Sequence, residues 1–130
     1  MFKNLFRKKT DKILFDAVEG CVGNKLENQN GVKENATLGD LELFLQLMLD
    51  DPNQFVILTV QNPCYGVSYV QAARVEKNVI DVELGLEQDG KTKLVQKNCT
   101  EEECRAIMTE FFNSTYVENV DSYKPMQFFC

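Results

Sequence analysis

The sequence predicts an α+β domain of two layers, a four-stranded antiparallel meander sheet with helices packed on one face. Three observations carry this expectation. Four runs between residues 54 and 97 show strand-like apolar patterning and are separated by turn residues. Runs on either side of that block repeat apolar residues at helical spacing behind capping residues. The chain has 130 residues, which suits one core and not two. Residues 1–10 are expected to form a flexible basic tip, and residues 11–130 the single domain.

The elements follow in chain order. Ile13, Leu14, Ala17, Val18 and Cys21 recur at helical spacing, so a short helix is expected over 11–21, ended near Gly20 or Gly23. Residues 23–36 are rich in Gly, Asn, Gln and charge and read as a surface loop. Thr37 with Asp40 three residues later is a near capping box. Behind it Leu38, Leu41, Phe44, Leu45, Met48 and Leu49 give a broad apolar helix face, and Asp50-Asp51-Pro52 stops it.

The run Gln54–Gln61 is apolar on both alternating sets, which suits an interior strand. Asn62–Gly66 is a turn, residues 67–75 a second strand, and Glu76–Asn78 another turn. Over 79–87, Ile80, Val82, Leu84 and Leu86 alternate with Asp81, Glu83, Gly85 and Glu87. That is a half-buried strand with an acidic outer face. Asp89-Gly90 is a hairpin signal, and 92–97 return as a fourth strand with Leu94 or Val95 inward. Thr100 and Glu103 form a capping box before Cys104, Ile107, Met108, Phe111 and Phe112. The aromatic tail, from Tyr116 through Tyr123 to Phe129, is expected to pack on the sheet or a helix.

Composition narrows function by exclusion. The chain has no His, which removes Ser–His and Cys–His catalysis and His-containing zinc sites. It has neither phosphate-loop nor dinucleotide glycine motif, so no cofactor is expected. Five cysteines without a C-x-x-C pair read as free thiols, which suits a reduced cytoplasmic setting and no bound transition metal. The net charge of −6 opposes generic nucleic-acid binding and suits a basic partner.

That charge is uneven. Residues 1–12 carry Lys3, Arg7, Lys8, Lys9 and Lys12 against Asp11, leaving 9 basic and 19 acidic residues, or −10, in the rest. Phe2, Leu5 and Phe6 beside these cations offer a peripheral membrane contact. No stretch approaches the roughly 20 apolar residues of a membrane span.

Asp81 and Glu83, at i and i+2 of one strand, project from the same face. Such a pair would serve a small carboxylate- or metal-dependent hydrolase, or decorate a solvated surface. With Glu87, Tyr69 and Gln71 they form a candidate partner-binding patch, aromatic and acidic. No catalytic residue and no metal ligand is assigned.

The helix Leu38-Gly-Asp-Leu-Glu-Leu-Phe-Leu45 is followed by Gln54-Phe-Val-Ile-Leu-Thr-Val60, Tyr69-Val-Gln-Ala-Ala73, Val82-Glu-Leu-Gly-Leu86 and a capped final helix. Over residues 37–113 this order resembles small bacterial proteins related to toxin-immunity families. The resemblance implies a non-enzymatic inhibitor that neutralises a toxin by direct binding. The competing expectations are the hydrolase and a membrane-surface adaptor built on the basic tip. A monomer or weak dimer is expected.

Overall fold

A computed structural model describes residues 23–51 and 54–126. The expected helix over 11–21, the basic tip with Phe2, Leu5 and Phe6, and the last four residues lie outside the described residues.

The α+β class and the antiparallel sheet are as expected; the strand count is not. Among the described residues the sheet has seven strands rather than four. Its centre is the expected meander: β3 (Phe55–Thr59), β4 (Val67–Glu76), β5 (Val79–Gln88) and β6 (Lys91–Cys99). To one side lie β1 (Lys25–Asn28) and the edge strand β2 (Gly31–Lys33); on the other edge is β7 (Lys124–Pro125).

The hairpin β1–β2 corrects the surface loop expected over 23–36. Asn28 and Gly31 close its turn, and the Asn28 Oδ1 accepts from the Asn30 N–H at 2.8 Å. β1 is ordered by its neighbour: Leu26 pairs with Leu58 of β3 and is fully buried. At the far edge β7 pairs through Pro125 with Val95, and Tyr123 just before it is buried. The described part of the tail, as far as Met126, therefore packs on the sheet.

Helix α1 (Leu38–Asp50) joins β2 to β3, and α2 (Glu101–Ser114) follows β6. Both carry complete capping boxes: the Thr37 and Thr100 hydroxyls accept from Asp40 and Glu103 N–H, and those carboxylates accept from the threonine N–H groups. These bonds satisfy amides that a helix start leaves without partners.

Leu41, Leu45 and Met48 of α1, with Cys104, Met108, Phe111 and Phe112 of α2, pack on one face of the sheet. That face supplies Leu26, Val56, Leu58, Val70, Ala72, Ile80, Val82, Leu84 and Val95. Val95, not Leu94, points inward.

Polar ties fix the two layers. The buried Asn24 side-chain amide donates to the Phe112 carbonyl at 3.0 Å, pinning the start of β1 to the end of α2. The Arg74 guanidinium donates to the Leu49 carbonyl at 3.3 Å, placing a cation at a helix C-terminus that has none of its own. On the outside Arg105 of α2 reaches Glu42 at 2.6 Å and Gln46 at 3.0 Å on α1.

Candidate protein-binding face

With both helices on one side, the other side of the sheet displays the alternate residues. Register sets them in rows across the strands. One row reads Val32, Glu27, Ile57, Gln71, Glu83, Gln96 and Lys124. The next reads Phe55, Ala73, Asp81 and Asn98, and a third Lys25, Thr59, Tyr69, Gly85 and Leu94. The structure thus brings all five candidate residues onto the sheet face turned away from the helices, Glu87 exposed and the other four half-buried. Gln71 of β4 stands opposite Glu83 of β5 and Tyr69 opposite Gly85, with Asp81 and Glu87 further along the same face of β5.

Each carboxylate of β5 is held in place by a neutral donor. The Tyr69 hydroxyl donates to Glu83 Oε2. Asn98 Nδ2 donates to Asp81 Oδ1 at 2.5 Å. Glu87 Oε2 accepts from Ser68 Oγ and Thr92 Oγ1, both at 2.9 Å. Neutral donors fix geometry without cancelling charge. Among the described residues no ion pair to these three carboxylates is present, and the neutral donors orient them.

Gly85 explains how Tyr69 reaches Glu83. The ring lies across the Gly85 backbone, and a Cβ there would collide with Cε2 and Cδ2. The missing side chain makes room for the aromatic one, a cross-strand arrangement known from other sheets. Burial, and then the bond to Glu83, push the Tyr69 phenol well above the ordinary tyrosine range, so it stays protonated and keeps donating.

Apolar area flanks the acidic stripe. Ile57, Phe55 and Ala73 lie beside Tyr69 and Gln71, and Val32 at the β2 edge is 53% exposed. Phe55, Ile57, Ala73 and Tyr69 thus border the acidic residues of β5, while Lys25 and Glu27 of β1 put charge of both signs on the far side.

The sequence reading missed the donors Ser68, Thr92 and Asn98, and the seat at Gly85. An alternating pattern says which residues share a strand face, but not which residue stands opposite.

Two other features of the described residues lie apart from this face. Cys99 and Cys104 lie immediately before the Thr100 cap and in the first turn of α2, the positions of a hydrophobic staple. Both are buried free thiols. Their shared hydrogen bond draws Cys99 down and pushes Cys104 up, and Tyr123, in the same core, has its phenol pushed up by burial. Secondly, Tyr65 and Tyr116 meet edge-to-face at 5.2 Å beside a shallow depression lined by Val67, Val117 and Val120.

Among the described residues no three of His, Cys, Asp and Glu converge as a metal site. No helix there is long and apolar enough to cross a membrane. The chain matches no protein-family model, no curated protein and no solved structure.

Proposed function

We propose that this protein is a non-enzymatic binding module of the immunity type, which neutralises a basic protein partner, a cognate toxin, by docking it on the open sheet face. The observation that carries this reading is the trio Asp81, Glu83 and Glu87, oriented by Asn98, Tyr69, Ser68 and Thr92 without an ion pair among the described residues. Placing three like charges along one face of one strand opposes folding slightly through mutual repulsion. A cationic partner relieves that repulsion, is steered toward the stripe, and finds Tyr69 and Ile57 as apolar contact beside it. The toxin-immunity resemblance of residues 37–113 supports the same reading.

The test compares the full chain with the Asp81→Asn/Glu83→Gln variant as bait in extracts of the source organism. The amides keep the acceptor oxygens while removing charge. The reading expects a specifically captured basic protein whose toxicity the wild type suppresses, and whose capture the variant loses. Equal capture and equal protection by the variant would overturn the acidic face as the docking site.

A further inference from the structure

The start of α2 sets two thiols side by side in the core. Thr100 is the N-cap, so Cys99 stands one residue before it and Cys104 is the fourth residue of the helix. The turn of a capping box brings the side chains at those two positions together, and apolar residues usually meet there. Here the side chains that meet are free thiols sharing a hydrogen bond. They are not equivalent. Cys104 is 1% exposed and lies within the helix, whereas Cys99 ends β6, is 7% exposed and precedes the positive end of α2. The Cys104 thiol donates to Cys99 and draws it below the ordinary thiol range; Lys97 assists, while burial, Glu103 and Asp81 oppose. A thiol favoured as thiolate, reachable at its edge and next to a second thiol, is the arrangement in which oxidation is selective.

We propose that Cys99 and Cys104 form a redox-active dithiol, which a small peroxide converts to an intramolecular disulfide with Cys99 reacting first. In the first step the Cys99 thiolate attacks one peroxide oxygen. The O–O bond breaks, the other oxygen leaves and takes a proton to become water, and Cys99 carries a sulfenic acid. In the second step the Cys104 sulfur attacks the Cys99 sulfur. The S–S bond forms, the S–O bond breaks, and the departing hydroxyl takes the Cys104 proton as a second water. The two thiols lose two electrons in all, and the peroxide gains them. A dithiol reductant reverses the change by thiol–disulfide exchange. Burial selects the oxidant: the exposed edge of Cys99 admits a small neutral peroxide more readily than a bulky disulfide. Cys99 pairs with the buried Ile80 and packs in the helix-covered core, so this inference stands apart from the docking reading.

The experiment treats the reduced, folded full chain with hydrogen peroxide, blocks remaining thiols with an alkylating agent, and maps tryptic peptides without reduction. Cleavage after Lys97 and Arg105 releases residues 98–105, which hold Cys99 and Cys104 and no other cysteine. The expected peptide is two hydrogens lighter than the dithiol form and carries no alkyl label. After treatment with a dithiol reductant it should take a label on each cysteine. In Cys104→Ala, whose small apolar side chain suits the buried site, Cys99 has no resolving thiol and a sulfenic-acid trapping reagent should mark it. In Cys99→Ala, Cys104 should stay a thiol at the same peroxide dose. Circular dichroism confirms that each variant is folded before treatment. A peptide 98–105 that keeps two alkylatable thiols while the exposed Cys64 is oxidised would overturn the proposal. So would bridges from Cys99 to Cys21, Cys64 or Cys130, links found only between chains, or oxidation of Cys104 in preference to Cys99.

Discussion

A side chain at position 85 and the ring of Tyr69 compete for the same space, so Gly85 and Tyr69 act as a unit. Gly85→Ala must push the ring aside and break its bond to Glu83. The expected cost is about 1–3 kcal/mol, the range for overpacking a well-filled site. In a Tyr69→Ala background the same change should cost at least about 0.5 kcal/mol less, because the clash is gone. Urea denaturation of the four proteins checks this, and additive costs would contradict the packing argument. The raised phenols make a second prediction. A group raised in the native state contributes stability that is full below its unfolded value, about 10 for tyrosine, and lost as pH climbs through the native one. Tyr69 and Tyr123 should therefore make the protein lose stability above about pH 10, less steeply in Tyr69→Phe. Denaturation midpoints across alkaline pH, with ultraviolet titration of phenolate, measure it.

Among the elements, the two helices are the parts whose ends were written most clearly. Thr37–Asp40 and Thr100–Glu103 form the reciprocal bonds that the spacing predicts. Thr37→Ala and Thr100→Ala should each cost about 1 kcal/mol, read from thermal or urea midpoints. Asp40 and Glu103 are held below their ordinary carboxylate values, first by the N–H groups of Thr37 and Thr100. A depressed carboxylate stabilises fully above its unfolded value, and the contribution disappears as pH falls through the lowered native value. Glu103→Gln, which still accepts but does not titrate, should flatten that acid limb. Strands β3–β6 were legible for a comparable reason. Each has at least five residues with clear apolar patterning and a turn signal at its ends. By contrast β1, β2 and β7 have four, three and two residues, too few for a period to show. Their order comes from pairing with β3 and β6, a non-local cause. The acidic face was legible for the same reason as its strand. Asn98 and Thr92, which hold its carboxylates, became apparent only with the β5–β6 register.

At the scale of the whole molecule, helices on one side leave a sheet face on which Phe55, Ile57 and Tyr69 border the acidic residues of β5. The central claim is that this face docks a basic protein. Its most direct measurement is the association rate of the captured partner with wild type and with Asp81→Asn/Glu83→Gln across ionic strengths. Electrostatic steering raises association by about 10–1,000-fold and fades with salt. The wild type should therefore bind fastest at low salt and slow steeply as salt rises. The variant should bind about tenfold or more slowly at low salt, with a flatter salt dependence, and with urea stability within about 1 kcal/mol of wild type. Equal association rates and equal salt slopes for the two proteins would contradict the claim, and would leave the three carboxylates as charges that keep the sheet face solvated.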